Sequence, residues 1–348
     1  MDRDRIKGFS DKVFASMAGA MAAGMAYVGV KTGLFAAMVG QGPMSAAEVV
    51  TRTGLHARYV EEWLKGMTTA GYLEHDPVAD RYLLPEELAY LLASEGTDHF
   101  MGGLFHAVPV MLRVAPQVAE AFRTGGGVPF EAFGPDMVEA VDLMSAGLYE
   151  QRFASLWLGK MPDVVKRLED GGRVLDVGCG VGRVGRTIAR VFPKCEVIGL
   201  DPDQTSIERA RAADGGAGRV RFVTASTSTF DGGEGFDLIT ACDCIHDLAA
   251  PARVVGEMKR LLKPGGTLFV VEPRAGDTLA ENSNAIGTMY YGFSLFHCMT
   301  QSLAAGGPGL GTCMGPARMR ALLNEAGFGD VQQVDIRSPT SMFYAARV

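Results

Sequence analysis

Val174-Leu175-Asp176-Val177-Gly178-Cys179-Gly180-Val181-Gly182 decides the fold of this 348-residue chain. An apolar run opens into glycines at alternate positions, and Arg183 begins a stretch with helical spacing. That order is strand, tight loop, helix. Glycine lets the backbone turn sharply and lie against a ligand, while the helix start offers free N–H groups. Asp201 follows Gly182 by 19 residues and closes the next apolar run, Val197 to Leu200. A carboxylate there accepts both hydroxyls of a ribose, so the stretch reads as a nucleoside site. Gly180, Gly182 and Gly185 also satisfy the dinucleotide pattern G-x-G-x-x-G, so the glycines alone do not choose the ligand. Asp176 does separate the readings. Its charge is unfavourable beside a pyrophosphate and favourable beside an ammonium or sulfonium. The competing reading of Asp176 is a structural cap on loop N–H groups.

Working outward, strand-like runs alternate with helical ones. Strands are expected at Arg173–Val177, Glu196–Leu200, Val220–Thr224, Phe236–Ala241 and Thr267–Val271, with helices at 182–191, 205–213 and 251–262. Alternation of this kind implies a parallel sheet with helical crossovers. Two further runs, 331–336 and 342–347, have no helix between them and imply an antiparallel hairpin at the sheet edge. The domain is expected to occupy 161–348.

The front of the chain follows another pattern. Ser45 and Glu48 form a capping box before a short helix. An amphipathic helix follows over Arg58–Ala70, then a hairpin from Tyr72 to Leu84. Two helices and a hairpin make a winged helix, assigned with the preceding helix to residues 1–95. Residues 96–160 read as a helical connector or lid. From Ser45 to Glu95 there are four basic and nine acidic side chains. Glu61 and Glu62 on the second helix would repel phosphates, so nucleic acid is not expected as a partner. The whole chain carries 33 basic and 40 acidic residues, net −7.

Residues 13–30 contain no charge. They are mostly Ala, Gly and Met, and Asp2, Asp4 and Asp11 precede them, which does not suit a signal peptide. A buried or subunit-interface helix is expected rather than a membrane span. Ala15, Gly19, Ala22 and Ala23 would let another helix approach closely. The six cysteines contain no C-x-x-C pair. They read as reduced thiols of a cytoplasmic protein.

The ordered pieces of the second half resemble the class I S-adenosylmethionine-dependent methyltransferases. VLDVGCGVG is similar to their first motif, and Asp201 to their ribose-binding acid. Phe236-Asp237-Leu238-Ile239 resembles the start of their fourth strand, and Leu261-Leu262-Lys263-Pro264-Gly265-Gly266-Thr267-Leu268 the turn into their fifth. The resemblance covers about 165–348 and implies a Rossmann-like seven-stranded α/β sheet. With the winged front end it further resembles small-molecule O-methyltransferases, whose N-terminal domain serves dimerisation and closes over the substrate, which implies a homodimer. It implies S-adenosylmethionine as cofactor, held by Asp176, Gly178, Cys179, Gly180, Gly182, Asp201, Ser226 and Asp243. Ser226 stands where the family usually has an acid contacting adenine, a weaker acceptor than a carboxylate.

Methyl transfer from a sulfonium asks the protein to align a nucleophile and exclude water. A hydroxyl nucleophile also benefits from a general base. Cys242-Asp243-Cys244-Ile245-His246-Asp247 lies past the fourth strand of the sheet, at the carboxyl edge where open α/β sheets bind ligands. The His246-Asp247 pair resembles the family's His-Asp, where that histidine is the base. Asp247 is expected to cap the following helix or hold the imidazole tautomer. Glu272 matches the acid flanking the base, and Leu248 replaces the family's usual tryptophan. The alternation Cys242/Cys244/His246 would place three soft ligands on one face, but the spacing matches no zinc pattern, so no metal is expected. Tyr290, Tyr291, Phe296 and His297 are assigned to the pocket of an apolar or aromatic small-molecule substrate. Two other classes remain at this stage: a nicotinamide oxidoreductase, and a metabolite-sensing DNA-binding regulator.

Overall fold

The computed structural model describes all 348 residues. They group into two compact units, one formed by residues 1–110 and 139–148, the other by 111–138 and 149–348. The connector expected over 96–160 is therefore shared between the two rather than standing alone.

In the first unit a helix spans Arg3–Lys31, and Asp2 caps it by accepting from the Asp4 and Arg5 amides. Only its last turns are buried, at Ala26 and Gly29. There the indole of Trp63 donates to the Met25 carbonyl at 2.8 Å. A side chain at Gly29 would collide with Trp63 and Phe35. Upstream, Ile6, Phe9, Val13, Phe14, Met17 and Met21 are exposed. Of the two alternatives expected, burial within the chain thus holds only for the last turns. The helix is long and apolar enough to cross a membrane by length and composition.

The winged arrangement follows, with helices at Ala46–Thr53 and Ala57–Thr69 and a hairpin of β1 (Glu74–Asp76) and β2 (Arg81–Leu83). The Ser45–Glu48 capping box forms with both of its hydrogen bonds. Val60, Trp63, Leu64 and Met67 recur at helical spacing and face the core of this unit. On the opposite face Glu61 and Glu62 pair with Lys65 and Arg58.

The second unit is built on a seven-stranded sheet: β3 (Arg173–Val177), β4 (Glu196–Asp201), β5 (Val220–Thr224), β6 (Phe236–Cys242), β7 (Leu262–Pro273), β8 (Asp330–Gln333) and β9 (Ser341–Arg347). Their spatial order is β5-β4-β3-β6-β7-β9-β8. β3 through β7 are parallel, and β9 lies antiparallel to both β7 and β8. Val174, Leu175, Ile198, Leu200, Ile239 and Val270 are buried. Such near-continuous apolar strands are what a sheet covered on both faces requires. From β3 the chain winds first toward β5, then returns to place β6 on the other side of β3. The crevice beyond the carboxyl ends of β3 and β6 is therefore the switch point at which open α/β sheets bind ligands.

Candidate active site

The loop after β3 folds as the glycine spacing predicts. Gly178, Gly180 and Gly182 have φ of 67°, 51° and 78°, all left-handed. At Gly182 a side chain is excluded twice over: by φ, and because a Cβ would lie 2.3 Å from the Phe222 ring. At Gly180 a Cβ would meet nothing within 4 Å. The backbone there borders open space, as a cradle for a ligand must. Asp201 ties this loop to β4. Its Oδ2 accepts from the Gly180 amide and its Oδ1 from the Asp203 amide, both at 2.9 Å. Burial raises its pKa against those two amides. Each oxygen keeps a lone pair for a diol.

Two residues expected to touch the cofactor act from beneath the loop instead. Asp176 is 2% exposed and accepts from the Thr240 hydroxyl at 2.7 Å. Its other oxygen lies beside the helix start at Gly185, buried and with no hydrogen-bond partner. Burial pushes its pKa to about 7 in spite of the Thr240 hydrogen bond and the nearby Gly185 amide. Side chains alternate along β3, and this one points into the layer between sheet and helix. Cys179 is also buried, its sulfur against Gly199, and burial raises its thiol pKa. Ser226 lies exposed past β5, with its hydroxyl 2.7 Å from that of Ser228.

Asp243 follows β6 with φ 51°, a left-handed value rare outside glycine. Its amide donates to the Val271 carbonyl at 2.8 Å, which pins the strained residue to β7. Its carboxylate accepts from the Tyr149 hydroxyl at 2.5 Å. Burial raises the Asp243 pKa to about 6, opposed by that hydrogen bond. Tyr149 is invisible to motif reading, because the contact spans 94 positions and no motif contains it.

The next turn, Ile245–Asp247, presents the imidazole of His246. Glu272, at the end of β7, accepts on Oε2 from His246 Nδ1 at 2.7 Å and on Oε1 from the Ile245 amide at 2.9 Å. His246 and Glu272 are 4% and 2% exposed. Burial alone would lower the His246 pKa. The Glu272 carboxylate and the Cys298 sulfur overcome it and raise the value well above the ordinary one. With Nδ1 held by Glu272, Nε2 is the nitrogen left to take a proton. Asp247 does not hold the imidazole. Its Oδ2 accepts from Gln301 Nε2 at 2.7 Å, and burial raises its pKa to about 7. Consecutive side chains of a tight turn point apart, so the adjacent acid cannot do what Glu272 does from a neighbouring strand.

The proposed pocket residues divide. Helix Ala285–Phe293 carries Tyr290, whose hydroxyl is spent on the Thr340 carbonyl at 2.6 Å, and Tyr291, which is exposed. The following π-helical turn, Ser294–Cys298, carries the half-buried Phe296 and the buried His297. Such turns are frequent at functional sites. The His297 ring meets Phe133 edge-on at 4.9 Å and Phe130 at 6.0 Å. Its Nε2 is buried with no hydrogen-bond partner. Cys298 packs against His246, a placement the sequence reading missed although its neighbour was singled out. No cluster of three or more metal-ligating side chains is present.

The open loop at Gly180, the Asp201 carboxylate at the end of β4 and the Glu272-oriented imidazole lie at the carboxyl edge of a doubly wound α/β sheet. Residues 168–327 match the family model of a methyltransferase domain, and residues 20–94 that of the Rv2258c-like winged HTH domain. Residues 168–327 thus carry a methyltransferase domain, preceded by an Rv2258c-like winged domain over residues 20–94. It is 32% identical over 183 residues to trans-aconitate 2-methyltransferase of Methylobacterium radiotolerans, covering 52% of this chain and 61% of that protein. To ubiquinone biosynthesis O-methyltransferase of Mesorhizobium japonicum it is 33% identical over 114 residues, covering 32% and 45%. The chain thus spans about half the length of the curated relatives it matches. Human N-acetylserotonin methyltransferase, solved with S-adenosylmethionine, superposes over 100% of this chain and 98% of its own, with a TM-score of 0.66 at 18% identity. That likeness is one of fold.

Proposed function

We propose that this protein transfers a methyl group from S-adenosylmethionine to a hydroxyl of a small, largely apolar or aromatic molecule. One observation carries the reading. A ribose-type carboxylate, Asp201, and an imidazole held by Glu272 lie at the ends of strands flanking the same switch point. The residues fit the donor: open space at Gly180 admits its backbone-side edge, and the spare lone pairs of Asp201 suit its ribose. The donor supplies an electrophilic methyl carbon. The chain orients, excludes water and receives a proton. The rings of Phe130 and Phe133 beside His297 support an aromatic acceptor, and the unpartnered Nε2 supports one carrying a polar group. His246 Nε2 takes the acceptor proton as the oxygen attacks. Glu272 stabilises the resulting imidazolium.

The matched families favour neither a nicotinamide oxidoreductase nor a DNA-binding regulator, and the acidic winged helix argues against the second on charge. We place the protein in the cytoplasm on its six free cysteines. We also read the exposed stripe of the first helix as the seam of a homodimer, since a second copy would cover it with an identical apolar stripe. Calorimetry with S-adenosylhomocysteine tests the central claim. The wild type binds and Asp201→Ala does not. His246→Ala binds normally but fails to turn over an acceptor found by screening small phenols. Equal affinity in the Asp201 variant, or undiminished turnover in the His246 variant, refutes the assignment.

A further inference from the structure

We propose that Tyr149 is a positioning residue of the donor site: its hydroxyl holds one oxygen of Asp243, so that the other receives the ammonium at the donor's amino-acid end. The inference rests on the donor reading above, with the ribose at Asp201. Tyr149 stands in the last turn of helix Pro135–Arg152 and is 7% exposed. Its ring packs edge-on against Phe153 at 6.2 Å and Trp157 at 5.7 Å. Those two rest in turn on Phe269 of β7 and Phe343 of β9, at 5.8 and 4.8 Å. The ring is thereby anchored to the sheet, and its hydroxyl reaches Asp243 Oδ2 at 2.5 Å.

Asp243 is fixed at its backbone as well, where its amide donates to the Val271 carbonyl at 2.8 Å. Its Oδ1 accepts no hydrogen bond from the chain. Protein surrounds the carboxylate closely, yet Asp243 is the one exposed residue between Ala241 and Leu248. It forms the floor of an open crevice. A phenol donates a hydrogen bond without bringing a positive charge, so the carboxylate keeps its own charge for a ligand. The neighbouring acids are not free in this way. Asp176 is buried beneath the loop, both oxygens of Glu272 are engaged, and Asp247 is turned to Gln301.

The sheet places this oxygen at the right end of the donor. β6 pairs with β3 so that Ala241 is level with Val177. Cys242 therefore lies beside Gly178, and Asp243 one step beyond. A Cβ at Gly178 would stand 3.0 Å from Cys244, so this stretch borders the loop directly. Asp201 ends β4, on the other side of β3. Two strand spacings, about 10 Å, separate β4 from β6. From its ribose the donor extends two ways, toward the base and toward the sulfonium. The methyl group must arrive at the His246 turn, which follows β6. The sulfonium arm thus crosses the loop from Asp201 toward β6, and the base lies toward β5. The ammonium ends that arm, where Asp243 offers its free oxygen. Opposite charges attract more strongly at such a crevice floor than in bulk water.

Calorimetry with two ligands tests this on the full chain at pH about 7.5, where the carboxylate is ionised. The ligands are S-adenosylhomocysteine and its analogue with hydrogen in place of the α-amino group. The wild type prefers the amine roughly tenfold to a hundredfold. Tyr149→Phe keeps the ring and its packing. It is expected to cut that preference roughly threefold to tenfold and to leave affinity for the analogue unchanged. Asp243→Asn abolishes the preference, and adding Tyr149→Phe to it changes nothing further. A merely structural tyrosine weakens both ligands alike. That result, equal affinities in the wild type, or the full preference surviving in Tyr149→Phe overturns the proposal. A wild type that binds neither ligand overturns the donor reading itself, so the two failures are told apart.

Discussion

Glu272→Gln removes one oxygen's charge and almost no volume, yet it is expected to cost most of the turnover. In the wild type the carboxylate accepts twice, from the Ile245 amide at 2.9 Å and from His246 Nδ1 at 2.7 Å. A glutamine amide offers one acceptor and one donor group. The backbone amide cannot change its role, so the glutamine oxygen stays with Ile245. Its NH2 group then faces Nδ1, which must become an acceptor. The imidazole proton moves to Nε2, the atom that has to receive the acceptor's proton. The charge that raises the His246 pKa is lost as well, and burial then lowers it. Losing a general base costs roughly 10²- to 10⁴-fold in rate. That equals about 3–5 kcal/mol of barrier. The assay is release of S-adenosylhomocysteine at saturating acceptor, with donor affinity followed by calorimetry. The expected result is a fall in kcat of that size with donor affinity unchanged. A variant within about threefold of wild type would show that Glu272 does not set the tautomer and that His246 is not the base.

Two other outcomes follow from buried groups and exposed ones. Asp176 titrates at about 7 in the folded chain against 3.8 as a model value, so the native state binds more protons than the unfolded one between those limits. Stability therefore falls as pH rises through that window, by roughly 4 kcal/mol in all. Asp176→Asn, with its oxygen toward Gly185 and its NH2 on the Thr240 hydroxyl, is expected to raise the urea midpoint of the ligand-free protein at pH about 8 and not at pH about 4; an equal change at both would refute the linkage. The exposed helix Arg3–Lys31 is expected to give a dimer by analytical ultracentrifugation, and Val13→Glu with Met17→Glu a monomer. A monomeric wild type that binds lipid vesicles would show that a membrane, not a second copy, covers the stripe.

The sheet was legible because its strands are buried on both faces and its loop is written in adjacent residues. Arg173–Val177 and Val220–Thr224 agree with the observed strands end to end, and the hairpin at the edge pairs as expected. Local chemistry of this kind, apolar runs ending in glycine, is carried by a few consecutive positions. The first helix shows where composition runs out. Eighteen uncharged residues mark a face that needs covering, but nothing in them says whether the cover comes from the same chain. Here it comes only at Ala26 and Gly29, where Trp63 and Phe35 close over the backbone.

The donor half of the site and the acceptor half differ in the same way. Asp201 holds Gly180 across 21 positions, but within one strand–helix–strand unit whose spacing is regular. On the acceptor side, Tyr149 reaches Asp243 across 94 positions and Gln301 reaches Asp247 across 54. Those pairings depend on where the sheet delivers each strand end, so a motif gives the histidine but not its partner. Family resemblance points to both acids, Asp247 next to the histidine in the chain and Glu272 at a strand end. Only the strand-end residue bonds the imidazole, because β6 and β7 are neighbours in the parallel sheet and their carboxyl ends open on the same crevice. In this fold, then, partners of a catalytic group are better sought at the ends of adjacent strands than beside it in the chain. Cys298 and His297 come from outside the sheet, on a π-helical turn, and only the folded chain brings them to His246.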